Sequence, residues 1–351
     1  MVAQAEREMV QQQFEDLRST CTAGSGILLP GEEVVSYYPP EMEARAEEFG
    51  LAGTNVDGTQ WQVGDCDVRF PLHSISKVFT YGLALEDNGL AETLRRVGVE
   101  PSGDPFNSIS FDETHHRPFN PMINAGALVA VNLVHGATKE EKVERLLTRL
   151  RIYAGNPDLA VDEDILAEQL VSNDRNVALS YLMRSLGMLH GNIEDNLYVY
   201  LAACSVTVTA AELSTMAATL ARGGANPFTG VPALPRTYTR DVLSVMSMCG
   251  MYDAAGQWAY EVGIPAKSSV SGAILAAIPD AIGVGVYSPG LDRHGNSVRG
   301  VAVCRELSSR FGLHVFADPS ESRLGRIVRP GRREEATEMY PSGDGWLPDG
   351  L

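Results

Sequence analysis

The strongest constraint on the fold of this chain is a lysine placed inside an otherwise apolar helical segment. An extended, proline-containing run starts at Phe70, and helical character begins near Ser74. Around Lys77, apolar residues such as Val78 and Leu83 occupy nearly every side of that helix. This pattern is typical of a helix inside a core, so the fold must bury the Lys77 side chain close to Ser74.

Ser74 and Lys77 stand three residues apart, so on a helix their side chains share one face. A serine hydroxyl is a poor nucleophile at neutral pH, and a lysine that has lost its proton through burial can activate it. The same spacing also fits a solvated serine cap followed by a surface lysine. The apolar surroundings of Lys77 favour a nucleophile with its base.

Lysine is rare in this chain, which makes each of its positions informative. Of the 28 basic residues only four are lysines, at Lys77, Lys139, Lys142 and Lys267. Lys77 and Lys267 both lie in serine-rich motifs, where serine hydrolases of the β-lactamase and penicillin-binding type also place their lysines. We therefore expect Ser74 and Lys267 to meet at one site.

Composition excludes several classes of function. A formal net charge of −17 argues against nucleic acid or an anionic membrane as a partner, because both would repel such a surface. No run of about 18 apolar residues could span a membrane, and residues 1–17 lack the pattern of a signal peptide, so a cytoplasmic location is expected. The five cysteines lack a C-x-x-C pair and the seven histidines lack metal spacing, which predicts buried thiols and no metal. The acidic, lysine-poor composition is also typical of a surface adapted to high salt.

Strand-like and helical patterns occupy different parts of the chain. Residues 50–56 and 60–63 predict a β-hairpin, because Asp57-Gly58 between them supplies the positive φ angles of a tight turn. Further strands are predicted at residues 269–278, 282–287 and 298–303. Helices are predicted at residues 1–24, from 75 to a stop at Asn88-Gly89, and at 123–134, 139–154, 165–186, 210–221 and 242–248.

These elements predict an α/β fold in which both ends of the chain build a β-rich part. A helical subdomain, about residues 76–225, is inserted between the two ends. The expected division is an N-terminal helical arm at residues 1–24, one domain at 25–316, and a tail or linker at 317–351. Clefts between two such parts commonly hold small molecules, so the site is expected at their seam.

Several motifs follow one another in a fixed order. They are Val-Asp-Gly at 56–58, Ser-Ile-Ser-Lys-Val-Phe at 74–79, Asn-Pro-Met-Ile-Asn-Ala-Gly-Ala at 120–127, Gly-Met-Tyr-Asp at 250–253 and Pro-Ala-Lys-Ser at 265–268. Over residues 24–316 this series resembles the serine-dependent bacterial-type glutaminases. The resemblance implies a β-lactamase/DD-peptidase-like fold, with an antiparallel sheet and flanking helices, and hydrolysis of L-glutamine to L-glutamate and ammonia.

The resemblance also assigns roles to single positions. Ser74 matches the acylated nucleophile, Lys77 matches its base, and Tyr252 matches a tyrosine that carries protons. Val270 matches the residue whose backbone N–H completes an oxyanion hole with that of Ser74. The matching substrate-binding residues are Tyr37, Asn124, Glu168, Asn176 and Tyr200. No metal or organic cofactor is implied.

Three details of this comparison stay open. The family places a glutamate for the substrate's α-ammonium at the position of Gln169, and Glu168 precedes it here. A one-residue insertion would restore Glu168, which we favour because a neutral amide would lose a charge-assisted hydrogen bond. The site tyrosine is Tyr37 or Tyr38, and Tyr37 needs no gap. Ser269 replaces a usual glycine and is expected to narrow the cleft.

The sequence thus predicts an enzyme with a γ-glutamyl-serine intermediate, a small-molecule substrate and a homo-oligomeric state. One alternative is another serine amidohydrolase of the same fold, and the motifs in the middle of the chain disfavour it. The other alternative is a non-catalytic binding module. The presence of both Ser74 and Lys77 favours catalysis over binding alone.

Overall fold

An antiparallel sheet lies at the centre of the structure, and both ends of the sequence contribute strands to it. The computed structural model describes residues 2–22, 47–103, 109–318 and 322–329. Its strands are β1 (Gly50–Asn55), β2 (Gln60–Gly64), β3 (Phe70–Pro71), β4 (Thr207–Val208), β5 (Ala266–Ser268), β6 (Ala273–Ile278) and β7 (Ile282–Tyr287). The order across the five-stranded sheet is β2-β1-β7-β6-β5, and β3 pairs with β4 separately.

Helices surround this sheet and fill the middle of the chain. They are α1 (Val2–Thr22), α2 (Ser76–Arg96), α3 (Asn124–Leu133), α4 (Lys139–Ala154), α5 (Glu163–Val171), α6 (Asp174–Ser185), α7 (Ile193–Cys204), α8 (Ala210–Ala221), α9 (Arg236–Cys249), α10 (Ala255–Glu261), α11 (Val298–Phe311) and α12 (Arg323–Val328). No helix among the described residues is both long and apolar enough to cross a membrane.

The first hairpin forms where the sequence predicts it. Strands β1 and β2 pair from Gly50 opposite Gly64 to Thr54 opposite Gln60. Gly58 in the connecting turn has a φ of 89°, a conformation that glycine adopts without steric cost. β1 also pairs with β7, so the early hairpin and the late strands form one sheet. The prediction that both ends of the chain build one β-rich part is therefore confirmed.

Helix α8 packs so closely on the sheet that β7 must carry glycines at the contact. A Cβ atom added at Gly283 would lie 2.0 Å from the backbone nitrogen of Ala218, and one at Gly285 would lie 2.5 Å from the carbonyl oxygen of Ala210. Side chains at these two positions would push the helix away. This close contact joins the helical region to one face of the sheet.

The other face of the sheet is covered by α1 and α11. Phe14 of α1 packs against Trp61 of β2 and against Phe311 of α11. These residues belong to a second buried cluster, which also contains Leu51, Val284 and other sheet residues. Because helices cover both faces, every residue of β1, β6 and β7 is buried.

Two sequence predictions are wrong in detail. Residues 298–303 begin helix α11 instead of a strand, because the Ser297 side chain caps the first turn by accepting a hydrogen bond from the backbone N–H of Gly300. The helix predicted over 165–186 is two helices, α5 and α6, separated at Ser172 and Asn173. The predicted stop at Asn88-Gly89 is confirmed, because Gly89 has a φ of 76° and a ψ of 165° and ends the first helical run of α2, after which a second run continues to Arg96.

Two further predictions differ from the structure in their bounds. The strand predicted over 269–278 begins only at Ala273, because Ser269 to Gly272 form the turn that joins β5 to β6. Part of the predicted tail is helical, since α12 begins after a cap at Ser322. The division of the chain into arm, domain and tail stays a prediction.

Candidate active site

Ser74 lies in a short 3₁₀ helix, His73–Ile75, directly before α2. The preceding His73 has a φ of 43°, a left-handed conformation that costs energy for a residue with a Cβ. Lys77, in the first turn of α2, is 1% exposed, and its Nζ donates a hydrogen bond of 3.1 Å to the Oγ of Ser74. The sequence prediction that a buried lysine contacts Ser74 is therefore confirmed.

Asparagine side chains extend this contact into a network. The Oδ1 of Asn124 accepts a 2.7 Å hydrogen bond from Lys77, and its Nδ2 donates to the Oδ1 of Asn176 at 3.0 Å. Asn176 in turn donates to Asn173 at 2.7 Å, and the Tyr200 hydroxyl lies 3.5 Å from the Oδ1 of Asn124. Asn124 opens α3 without capping it. Its side chain instead holds the lysine in place.

Tyr252 contacts strand β5, which lies next to the 3₁₀ helix of Ser74. Its hydroxyl donates a 3.2 Å hydrogen bond to the backbone oxygen of Ser268, and its φ of 56° is left-handed. The same oxygen accepts a 2.6 Å hydrogen bond from Lys267, whose Nζ lies 3.9 Å from the centre of the Tyr252 ring. Strand β5 packs against the 3₁₀ helix of Ser74, and Val270 follows in the turn after β5.

Burial determines the charge states of these groups. It lowers the pKa of Lys77 from its ordinary value of 10.5 to about 8, and the nearby Cys204 thiol opposes the shift slightly. Burial, together with the charge of Lys77, also lowers the pKa of Lys267 well below its ordinary value. The pKa of Tyr200 is raised well above 10 by burial. A free amine is thus accessible at Lys77 near neutral pH, next to an un-ionised tyrosine.

The structure does not bring Glu168 to this network. Glu168 is exposed on the outside of α5, whereas Gln169 is half-buried and donates a 2.9 Å hydrogen bond from its Nε2 to the Oγ of Ser205. Neighbouring residues on a helix point about 100° apart, so only one of the two can face inward. In this structure Gln169 and not Glu168 faces inward, and which of the two meets the substrate stays a prediction.

Two other sequence expectations concern residues of this site. Ser269 does not narrow the cleft, because it is fully buried and its Oγ accepts a 2.9 Å hydrogen bond from the Ser271 hydroxyl inside the β5–β6 turn. Tyr37 and Tyr38 lie outside the described residues. Nothing in the geometry chooses between the two tyrosines.

A cavity of about 460 Å³ opens beside Tyr252. Its lining comes from the end of α9, from α10 and from the loop residues before α3, and it includes Met122, Ile123 and Cys249. A larger cleft of about 930 Å³ lies against α11 and α12, and none of the predicted site residues lines it. Within the described part of the chain, no three His, Cys, Asp or Glu side chains are close enough to hold a metal ion.

Family comparison decides the identity of the chain. The model of the glutaminase family matches residues 33–316. The chain belongs to the glutaminase family. A glutaminase from Trichormus variabilis is 49% identical over 286 residues, which are 81% of this chain and 85% of the relative. Glutaminase 2 of Clostridium perfringens is 42% identical over 81% of this chain and 94% of its own.

Solved structures agree with the sequence comparison. The probable glutaminase ybaS superposes with a TM-score of 0.81 and 34% identity, over 87% of this chain and 97% of its own. The crystal structure of Mglu superposes with a TM-score of 0.79 and 41% identity, over 88% of this chain and 76% of the other. This glutaminase has the β-lactamase-like fold, with an antiparallel sheet and flanking helices.

Sequence reasoning missed two residues of the site. Asn173 supports Asn176, and the break between α5 and α6 that places it there was predicted as continuous helix. The Ser268 backbone oxygen, which joins Tyr252 to Lys267, carries no signal in the side-chain sequence. Lys267, in contrast, was indicated by the rarity of lysine and by the Pro-Ala-Lys-Ser motif at 265–268.

Proposed function

We propose that this glutaminase hydrolyses L-glutamine to L-glutamate and ammonia through a γ-glutamyl ester on Ser74. The observation that carries the proposal is the buried contact between Lys77 and Ser74, 3.1 Å from Nζ to Oγ. A base must lie within hydrogen-bond reach of the proton that it removes, and this distance satisfies that requirement. The lowered pKa of Lys77, about 8, makes the free amine accessible.

The proposed reaction has two halves. Lys77 takes the Ser74 proton, and the Ser74 oxygen attacks the side-chain amide carbon of glutamine. The backbone N–H groups of Ser74 and Val270 hold the developing oxyanion. Ammonia leaves with a proton delivered through Tyr252 or Lys77, and water then hydrolyses the ester by the reverse route.

Substrate binding is proposed for the polar groups around Lys77. Asn124 contacts the Lys77 amine, and Asn176 and Tyr200 contact Asn124. These three residues would hold the amino-acid end of glutamine, with Tyr37 as a further contact. For the α-ammonium, the burial pattern favours Gln169 over Glu168. An amide oxygen can accept a hydrogen bond from the ammonium but supplies no charge.

The test of the mechanism is ammonia release by Ser74→Ala and Lys77→Ala. Both should lose kcat by about 10³-fold or more while the melting temperature stays near that of the wild type, because a nucleophile and its base act as one unit. Retention of about a tenth of kcat by Ser74→Ala would exclude the covalent route. Glutamine, asparagine and a chromogenic β-lactam should be assayed in parallel, and turnover of the β-lactam alone would indicate the related amidohydrolase class.

Salt tolerance is also proposed, on the basis of the charge of −17. Screening of an acidic surface by salt relieves its self-repulsion. The relative Mglu and a Bacillus glutaminase both have structures in the presence of 4.3 M NaCl.

We further propose a homo-oligomer, in which α5 and α6 contribute to the contact. Exposed apolar side chains gather on these two helices, at Val171, Val177, Tyr181, Leu182 and Leu186. Clustered exposed apolar residues are typical of protein contacts. Light scattering at micromolar concentration should give a mass above one chain, and Val171→Asp should lower it. A monomer would contradict this proposal.

A cytoplasmic location is proposed from the thiols. All five cysteines are free and buried, which suits a reducing compartment. Fractionation of the source cells should find ammonia-releasing activity in the cytoplasmic fraction, and activity confined to an outer compartment would contradict the proposal.

A further inference from the structure

A strained backbone position lies at Tyr252, the residue proposed to carry protons. Tyr252 opens a 3₁₀ turn, Tyr252–Ala254, between α9 and α10, and its φ of 56° is left-handed. A residue with a side chain keeps this conformation only where the surrounding structure holds it. The contacts of this turn therefore determine where the tyrosine hydroxyl lies.

Strand β5 holds the turn on one side, through the tyrosine side chain. The Tyr252 hydroxyl donates to the Ser268 carbonyl oxygen at 3.2 Å, and the Nζ of Lys267 lies 3.9 Å from the centre of the ring. Within the turn, the backbone N–H of Ala254 donates to the carbonyl oxygen of Met251 at 3.1 Å. That bond is local and does not connect the turn to the rest of the fold.

The next residue, Asp253, connects the turn to a loop that is distant in the sequence. Its Oδ1 lies 2.9 Å from the Nδ1 of His294, in the loop between β7 and α11. The side chains of Asp253 and His294 are 29% and 22% exposed. A pair that is partly open to water adds little to global stability. Its effect is local, because it fixes the residue that directly follows the tyrosine.

The contacts of His294 select the tautomer that suits Asp253. The Nε of Arg293 donates a 3.0 Å hydrogen bond to the Nε2 of His294. A ring nitrogen that accepts a hydrogen bond carries no proton, so the proton of the neutral imidazole is on Nδ1. The Nδ1–H then donates to the Asp253 carboxylate.

The loop that carries His294 is closed by its own hydrogen bonds. The Oδ1 of Asp292 accepts the backbone N–H groups of His294 and Asn296, at 2.8 and 3.0 Å. The backbone N–H of Asp292 donates to the carbonyl oxygen of Asn296 at 2.8 Å. The Ser297 hydroxyl joins the loop to the end of β7 by donating to the Ser288 carbonyl oxygen at 2.7 Å. His294 is therefore a fixed point against which Asp253 is held.

We infer that Asp253 and His294 are positioning residues, whose contact holds the Tyr252 hydroxyl in place at the active site. The inference rests on the serine mechanism proposed above and on proton transfer through Tyr252. The pair takes part in no bond-making step. It acts through the backbone of the turn, which sets the direction of the tyrosine side chain. A hydrogen-bond donor at residue 294 and an acceptor at residue 253 are sufficient for this role.

The first test compares alanine with asparagine at both positions. Asp253→Ala and His294→Ala should each lower kcat for L-glutamine by about tenfold and leave KM within about twofold, because a displaced proton carrier slows the chemistry more than substrate binding. Their melting temperatures should stay near that of the wild type. Asp253→Asn keeps an acceptor and His294→Asn keeps a donor, so each should recover most of the lost kcat. An unchanged kcat in either alanine variant, or equal losses with alanine and asparagine, would overturn the inference.

The second test is a double-mutant cycle that asks whether the loss passes through the tyrosine. Tyr252→Phe removes the hydroxyl and should lower kcat by about 10²-fold. Adding His294→Ala to Tyr252→Phe should then change kcat by no more than about twofold, because the hydroxyl that the pair positions is already absent. A further tenfold loss would show a general loosening of the fold, and full activity of Tyr252→Phe would leave the pair nothing to position; either result refutes the inference. If instead Ser74→Ala stays active, the serine mechanism itself has failed.

Discussion

At the scale of single residues, the site depends on keeping one amine neutral inside the protein. Lys77 is buried among neutral partners, and it can accept a proton only because burial lowers its pKa to about 8. A surface lysine in the same motif would remain protonated and inactive as a base. The proposed mechanism therefore depends on the apolar surroundings of Lys77.

The pH profile of the wild-type enzyme follows from this pKa. Because the lowered pKa means that Lys77 is protonated below about pH 8 and free above it, kcat/KM should rise through that range and level off at higher pH. Initial rates of ammonia release across buffers of constant ionic strength measure this. A profile that stays flat as the pH falls from 8 towards 6 would contradict Lys77 as the base.

A second prediction at this scale concerns Gln169. Gln169→Glu would place a carboxylate at the inward-facing position and should lower KM for glutamine by about tenfold or more, the effect of a hydrogen bond to a charged group. Glu168→Gln is the matched control, and its exposed side chain should leave KM unchanged. Steady-state kinetics on both variants decide the point. If Glu168→Gln raises KM and Gln169→Glu does nothing, Glu168 is the residue that meets the substrate.

At the scale of elements, the site is assembled by the contact between the sheet and the helical region. Helix α8 lies on β7 with no room for a Cβ at Gly283 or Gly285, and β5 of the same sheet holds Lys267 against Tyr252. The sheet therefore positions β5 against the 3₁₀ helix that contains Ser74.

Gly283→Ala should destabilise the protein by about 3 kcal/mol or more in the free energy of unfolding, because the added Cβ meets backbone atoms that cannot move independently. Gly256→Ala is the control, since a Cβ there has no neighbour within 4 Å. It lies in helix α10, and alanine should stabilise the protein by up to about 1 kcal/mol. Urea unfolding measures both, and equal stabilities for the two variants would show that α8 can shift on the sheet.

The sequence predicted these elements well where local signals agreed with tertiary packing. Helix α4 has the predicted bounds because Thr138 caps its start and Gly155 adopts the left-handed conformation that ends it. Helix α11 was missed because its valine-rich start alternates like a strand, and only the Ser297 cap and the buried face toward α1 show otherwise. The break falls at Ser172 and Asn173, residue types that favour helix ends, and the helical periodicity on either side of them concealed this local signal.

The candidate site was predictable for a similar reason. Motifs identified Ser74, Lys77 and Asn124, and the structure brings them into one network. The choice between Glu168 and Gln169 needed the orientation of α5 about its axis. In the structure Gln169 faces the end of α7, where Ser205 accepts a hydrogen bond from its amide, as the family spacing indicated, whereas the argument from charge had favoured Glu168.

At the scale of the whole molecule, charge is the dominant property. With 45 acidic and 28 basic residues, the folded chain repels itself at low ionic strength. At about 1 M salt the Debye length falls to about 3 Å and most of this repulsion is screened. Glutamine carries no net charge, so screening should not impair its capture.

Activity and melting temperature should therefore hold or rise as NaCl increases from dilute to molar concentration. Parallel titrations of ammonia release and thermal melting measure the two quantities on one preparation. A steep fall of both by about 1 M NaCl would show that the acidic surface gives no tolerance to salt.

The central claim is a γ-glutamyl ester on Ser74, and the partition of that ester between two nucleophiles tests it most directly. Glutamine and a γ-glutamyl anilide would be turned over in the same mixture of water and hydroxylamine. A shared acyl-enzyme must give the same ratio of hydroxamate to glutamate from both substrates, because the leaving group has departed before the nucleophile attacks. Equal ratios, with no product from Ser74→Ala, are predicted. Ratios that differ between the two substrates would contradict the covalent mechanism.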